Sequence, residues 1–301
     1  MAPKPLKGLG VFSFKENHHT TPLPNPRFLG QSFANSLTAE SLMSLAEIVD
    51  LDTHPIADPA FGAKCNETLD RDGALVLRDF IKPDALEAMR TESNAKANRA
   101  YFCAQNHSVY LTPNDPEHDA DHPKNRQVLS SKGCICDDDI AADSPLRQLY
   151  DSEIFRAFIK TTTGETELHP YADPLSSINV HYHDKGQELG WHFDNSSFAT
   201  TLLIQKTTAG SKFEYVKDLR DADAGEMNYE GVGKLLSGET TPDVLSHEPG
   251  DLVLFRGRNS AHRVTPNEAD TTRILAVLAY NNAPGVELSE SARMTFYGRM
   301  G

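Results

Sequence analysis

The stretch that decides the fold is SSINVHYHDKGQELGWHFDNSSFATTLLIQ, residues 176–205. It holds three short β-like runs, SSINVHYH, GWHFD and FATTLLIQ, separated by turns. In a strand, residues i and i+2 point to the same face. His192 and Asp194 therefore project together, Phe193 points the other way, and Trp191, the chain's single tryptophan, stands just before them. They are either two metal ligands or a buried histidine steadied by an acid. Working toward the C-terminus, the same texture continues through SKFEYV (211–216), DLVLFRG (251–257), AHRVTP (261–266) and TRILAVLAYNN (272–282). So many short strands without intervening helices predict a sandwich, barrel or jelly roll over about 175–285.

Working toward the N-terminus, the reading turns helical. LTAESLMSLAEIVDL (37–51) has helical spacing with Thr38 as N-cap, RDGALVLRDF (71–80) holds a short strand, and KPDALEAMRTESNAKANRAYF (82–102) reads as a helix opened by Pro83 and Asp84. SPLRQLYDSEIFRAFIKTTTG (144–164) predicts one amphipathic helix, capped by Ser144 and ended by Gly164. Residues 105–145 are polar and loop-like, the composition of a lid. Within them His118 and His122 are spaced for a metal on a helix, but Pro116 and Pro123 argue for a solvated loop. Residues 1–40, rich in Pro, Asn and Thr, read as an extended arm, and 41–301 as a single domain.

Composition narrows the function. The formal charge of −14 argues against a partner surface for nucleic acid or anionic lipid. No apolar run approaches the ~18–20 residues that span a bilayer, and the N-terminus lacks a signal-like apolar core, so a cytoplasmic protein is expected. Cys65, Cys103, Cys134 and Cys136 do not form a disulfide framework in so long a chain.

A third ligand for a metal at His192 and Asp194 comes from HEPGDLVLFRGRNSAHRVTP (247–266). Its Pro-Gly-Asp turn leads into an apolar strand, and His262 opens the next one. Arg273 follows eleven residues later, on TRILAVLAY. Two imidazoles and one carboxylate on one side of a metal leave its other positions open, as in non-haem Fe(II) oxygenases. An arginine fork close by can grip a carboxylate bidentately. Each piece alone is weak, since a lone buried histidine is usually just packed. Together, in an all-β half, they point to a metal site at His192, Asp194 and His262.

Over residues 65–300 the chain resembles the Fe(II)/2-oxoglutarate-dependent dioxygenase superfamily. DRDGALVLRDFIKPDALEAMR (70–90) is similar to the opening of its phytanoyl-CoA-hydroxylase-like members. HYHDKGQELGWHFDNSSFATTLLIQ, LFRGRNSAHRVTP and SESARMTFYGR resemble its bacterial branch of free-amino-acid hydroxylases and halogenases. The resemblance implies an α+β fold with a double-stranded β-helix, jelly-roll or cupin-like, buttressed by N-terminal helices. It implies Fe(II) on His192, Asp194 and His262, 2-oxoglutarate held at its far carboxylate by Arg273, and O2 as co-substrate. A C–H bond of a small polar metabolite, such as a free amino acid, would be hydroxylated with release of succinate and CO2.

His183, then His181 and Asn179, share one face of the preceding strand and are further candidates for 2-oxoglutarate contacts. Leu275, Val277 and Ala279 would form an apolar wall. Arg126, Arg258 and Asn259 are candidates for the substrate. Halogenases of the superfamily replace the carboxylate ligand by a small residue to admit chloride, so Asp194 favours hydroxylation. Desaturation, cyclisation or a halogenase-related outcome, a cupin-type enzyme without 2-oxoglutarate, and a non-catalytic 2-oxoglutarate or iron sensor stay open as alternatives, as does a homodimer.

Overall fold

Helix starts and stops follow local chemistry in the computed structural model, which describes residues 45–301. The expected arm over 1–40 lies outside the described residues, as does the beginning of the 37–51 helix, of which 45–48 are helical. Helix α1 (Pro59–Asp72) is capped by Asp58, whose carboxylate accepts from the Ala60 amide, and it stops at Gly73, whose φ of 74° suits glycine. Strand β1 (Ala74–Leu77) and helix α2 (Pro83–Lys96) follow. The predicted helix over 82–102 thus ends early, with Tyr101 and Phe102 already in a strand. Helices α3 (Pro145–Asp151) and α4 (Glu153–Thr163) replace the single helix expected over 144–164. Ser152 breaks it, because its extended backbone lets the side chain cap the Phe155 amide.

The supposed lid is largely a hairpin. Strands β2 (Tyr101–Ser108) and β3 (Gln127–Ile135) pair antiparallel along their length, so only 109–126 is connecting chain. Neither strand carries the apolar alternation that betrays a half-buried strand. Cys103, Gln105, His107, Ser130 and Lys132 line an internal cavity, while Tyr101, Phe102 and Leu129 are exposed. His118 and His122 lie in the connection with stacked rings 3.8 Å apart.

The remaining strands are β4 (Ile178–His183), β5 (Leu189–His192), β6 (Ala199–Gln205), β7 (Phe213–Val216), β8 (Asp243–Leu245), β9 (Leu252–Phe255), β10 (Ala261–Val264) and β11 (Arg273–Leu278). Helix α5 (Tyr229–Leu236) precedes β8, and α6 (Glu290–Tyr297) closes the chain. Neither helix, nor β8, was expected from the sequence. Every pairing is antiparallel, in the order β1-β9-β6-β11-β4-β3-β5-β10-β7-β8, with β2 on β3. Apart from β2-β3, β3-β4 and β7-β8, neighbours in space are not consecutive in sequence, the signature of a jelly roll. β3 pairs with β4 at one end and meets β5 through Ser130 and Leu189, so the sheet curls over itself. The fold is α+β, a double-stranded β-helix backed by helices.

Alternation on β4 separates the two sides of this sheet. Ile178, Val180 and Tyr182 pack with Leu149, Phe155 and Ile159 in the main apolar core. The Tyr182 hydroxyl donates to the Ser93 carbonyl on α2 (2.7 Å). His181 and His183 face inward, into the cavity. Among the described residues no helix is long and apolar enough to cross a membrane.

Candidate metal centre

His192 ends β5, and His262 lies directly opposite it on β10. Beyond His192 the chain leaves the ladder: the Phe193 amide donates to Val109 O (2.9 Å) and the Asp194 amide to Gly257 O (3.0 Å). These bonds turn the Asp194 carboxylate back toward both imidazoles. Its Oδ1 lies 3.7 Å from His192 Nε2 and 3.6 Å from His262 Nε2, too long for good hydrogen bonds. One ligand atom from each residue falls within 4.8 Å of the others, and the 3.6 and 3.7 Å separations from Asp194 Oδ1 are spans that one ion with bonds of about 2.1 Å can bridge. It is the one such group found among the described residues.

Both histidines present the same nitrogen for the same reason. His192 Nδ1 donates to Gly190 O (2.8 Å) and His262 Nδ1 to Ser260 O (3.0 Å), each two residues back along the chain. With the proton held at Nδ1, Nε2 carries the lone pair a metal needs. Burial keeps His192 well below the ordinary histidine range, helped by the neighbouring His262. Asp194 Oδ2 is buried without a partner. A Cβ on Gly257 would sit 1.9 Å from that oxygen, so the carboxylate fits only because residue 257 has no side chain. The donor set, the tautomers and the orphaned oxygen all fit a metal ion.

Phe193 and Trp191 turn outward. The Arg220 guanidinium lies 4.1 Å over the Phe193 ring and that of Arg263 4.8 Å over Trp191. His107, on β2, meets the His192 ring edge-on at 6.3 Å and bonds Ser130 Oγ through Nε2 (2.6 Å).

The cavity enclosed by the curled sheet measures about 1150 Å³, above the ~300–1,000 Å³ usual for one ligand. Arg273 enters it from β11, paired in register with His183. It is 3% exposed, and its NH1 finds no partner. Burial pushes its pKa down to about 10. His183 is 1% exposed with neither ring nitrogen hydrogen-bonded, and burial holds it neutral. His181 bonds the Lys132 ammonium, which donates to its Nε2 at 2.9 Å. Leu275 and Val277 form the apolar wall, and His247 joins near Arg273.

Other candidates separate from this group. Asn179 is fully engaged elsewhere: its amide donates to Leu175 O and Ile178 O, and Oδ1 accepts from Tyr297. It does not line the cavity, because helix α6 covers that end of β4. Arg126 lines a separate hollow of about 560 Å³ with Trp191 and Arg263. Arg258 does reach the cavity, yet it is bound to Asp223 (2.6 Å) and to Asn195 O (3.0 Å). Asn259 accepts from the Ala222 amide outside the cavity lining. Lys132, His107 and His247 escaped the sequence reading, as did Ser291, Thr295 and Phe296 of α6, all on the cavity wall. For Lys132 and His107 the signal was strand parity, hidden while 105–145 read as a loop.

A family profile described as Halogenase D matches residues 58–295. A search of curated proteins finds no match. Among solved structures, AviO1 from Streptomyces viridochromogenes Tue57 is 16% identical, with a TM-score of 0.50 over 75% of this chain and 97% of its own. The non-haem α-ketoglutarate-dependent carbocyclase SnoK of nogalamycin biosynthesis is 10% identical, with a TM-score of 0.50 over 76% of this chain and 89% of its own. The α-ketoglutarate-dependent epimerase SnoN, from the same biosynthesis, is 12% identical, with a TM-score of 0.50 over 74% and 84%. At these identities the likeness is one of fold. The profile match, which spans most of the sequence, shows that the chain belongs to the Halogenase D family.

Proposed function

We propose that this protein is an Fe(II)- and 2-oxoglutarate-dependent oxygenase that hydroxylates a C–H bond of a small polar metabolite, a free amino acid or derivative. One observation carries the reading: three convergent ligand atoms share a cavity with a buried guanidinium that has an unpartnered nitrogen. A buried cation is strongly unfavourable without an anion, and a dicarboxylate chelated to the metal would supply one at the right end.

In this reading His192, Asp194 and His262 hold Fe(II), and Arg273 receives the far carboxylate of 2-oxoglutarate, with its register partner His183 beside it and His181 two residues along, on Lys132. The bound metal, 2-oxoglutarate and O2 together supply an oxidant able to attack an unactivated C–H bond, leaving succinate and CO2. The chain's own work is placement and exclusion of water. Phe213 stacks against His262, and Leu275 and Val277 wall the cavity with hydrocarbon. Residues 41–301 form the catalytic unit, and its partner is a small molecule.

The family's description names halogenation, yet Asp194 favours hydroxylation. Its carboxylate fills the position a halide would need, and Gly257 leaves room for it. The test is a panel of free amino acids and small metabolites incubated with protein, Fe(II), ascorbate and 2-oxoglutarate. Substrate-dependent succinate release with a gain of one oxygen supports hydroxylation. A chlorinated product overturns it in favour of halogenation, and absence of succinate throughout overturns the oxygenase.

A further inference from the structure

Among the described residues Lys132 is a cation on the cavity wall whose ammonium meets the His181 ring, closest at Nε2, and pairs with no acid. The ammonium has three protons, and neutral His181 accepts one of them. Burial pulls the Lys132 pKa below its ordinary range, and the adjacent Cys103 and Cys134 only partly counter this. Among the described residues Arg273 is the other cation of the cavity wall with no acidic partner. The two stand on either side of β4: β3 carries Lys132, β4 carries His181 and His183, and β11 carries Arg273. Two strand spacings separate them, about 10 Å. Lys132 also approaches α6, with Nζ 5.6 Å from the centre of the Phe296 ring, whereas Arg273 neighbours His247.

Charge balance then asks for a second anion. Under the function proposed above, on which this step rests, a divalent metal and Asp194 leave one positive charge, and Arg273 adds another. The 2-oxoglutarate dianion cancels both. Lys132 remains. Arg258 is already neutralised by Asp223, and Glu165 sits at the exposed rim on Ser197. The cavity also has room for a second small molecule beside the co-substrate.

We propose that Lys132, oriented by His181, is the specificity-determining residue that binds the carboxylate of the substrate, so that the enzyme takes amino acids with a free carboxylate and rejects their carboxamides. The site lies between β3 and α6, apart from the 2-oxoglutarate end at Arg273. Thr295 and Ser291, on the facing side of α6, offer hydroxyls to the rest of the molecule.

The experiment uses the full chain loaded with Mn(II) and 2-oxoglutarate, so that binding is read without turnover. The probes are the proteinogenic L-amino acids, ornithine and their carboxamides, titrated calorimetrically into wild type, Lys132→Met and Lys132→Arg. At least one acid should bind wild type about 30-fold or more tightly than its amide, since truncating one partner of a buried charge pair typically has an effect of that size or larger. Lys132→Met should erase the preference while leaving 2-oxoglutarate affinity within about threefold. Lys132→Arg, which keeps the charge, should retain a preference for the acid and show that the fold tolerates change there. The proposal is overturned if the preference survives in Lys132→Met. It is equally overturned if 2-oxoglutarate affinity falls with it, which would assign Lys132 to the co-substrate, or if wild type prefers no acid to its amide. Failure of wild type to bind Mn(II) and 2-oxoglutarate is a separate result, and it removes the functional reading itself.

Discussion

The two faces of β4 obey different rules. Outward, Ile178 and Val180 are fully buried in hydrocarbon, and the one polar group, the Tyr182 hydroxyl, is satisfied by Ser93. Inward, on the same strand and the facing one, both nitrogens of His183 and NH1 of Arg273 are buried with no partner. Each such group costs ~1–3 kcal/mol in a folded chain. A strand that satisfies its one outward polar side chain leaves its inward imidazole open. The contrast identifies the inner face as shaped for something that arrives after folding. Breaking the comparison means finding that inner-face changes behave like outer-face ones.

The largest effect is expected at the metal centre. His192→Ala, Asp194→Ala or His262→Ala should abolish substrate-dependent succinate release, because two remaining ligands hold Fe(II) too weakly. The unfolding transition of the metal-free protein should move little, since these side chains make no apolar core. Near-wild-type turnover in any of the three would remove that residue from the ligand set.

Next comes Arg273→Ala. Removing one partner of a buried charge pair costs ~2–5 kcal/mol, so the 2-oxoglutarate requirement should rise by about one and a half to nearly four orders of magnitude. Metal affinity, measured by Mn(II) titration, should change far less. Unaltered 2-oxoglutarate dependence would move the cupin-type reading ahead.

Gly257→Ala is a sharper probe, because it touches the metal only through Asp194. The added methyl would collide with Oδ2 and swing the carboxylate away. Changes that disturb a ligand's support typically cost 10–100-fold in metal affinity, the drop expected here. A variant with wild-type metal affinity would show that Asp194 is not held as the geometry suggests.

Much of this was legible in the sequence wherever one face of a strand was apolar and the other polar. The seven runs from 176 onward are strands, and His192, Asp194, His262 and Arg273 come together in space. The fold was lost to reading where both faces are wet. β2 and β3 have solvent on one side and the cavity on the other, so their polarity mimicked a loop and hid Lys132 and His107. Ser152 was lost for another reason: a residue able to cap a helix does not announce whether it interrupts one. Asn179 shows that parity places a side chain on a face without saying what covers it, here Tyr297 from a helix far along the chain.

The outer face supplies the control. Ile178→Ala should destabilise the protein by ~2–5 kcal/mol, the usual result of emptying a packed core position, read as a lower denaturant midpoint. Below the unfolding transition the 2-oxoglutarate requirement should be unchanged. If Ile178→Ala raised that requirement as Arg273→Ala does, the two faces would not be separable.

The smallest effect distinguishes the faces by pH. Burial lowers His247, on the cavity wall, to about 4, and it holds His181 and His183 well below their ordinary range. Because the folded state keeps these rings neutral while the unfolded chain protonates near 6.5, the unfolded state binds more protons at acid pH. Stability contributed by neutral burial is therefore intact above pH ~6.5 and is lost progressively below it. For His247 the loss continues down to about pH 4. The groups facing it include Arg273, which lowers its pKa, and Asp251, which opposes that. At ~1.4 kcal/mol per unit, His247 alone should account for about 3–4 kcal/mol across that window, of which about 3 kcal/mol is reached by pH 4.5. Urea titrations of the metal-free protein at pH 7 and pH 4.5 should show the fall, and His247→Gln should remove its share. An equal slope in wild type and His247→Gln would mean that this ring is charged in the folded protein, and that the inner face is wetter than its burial implies.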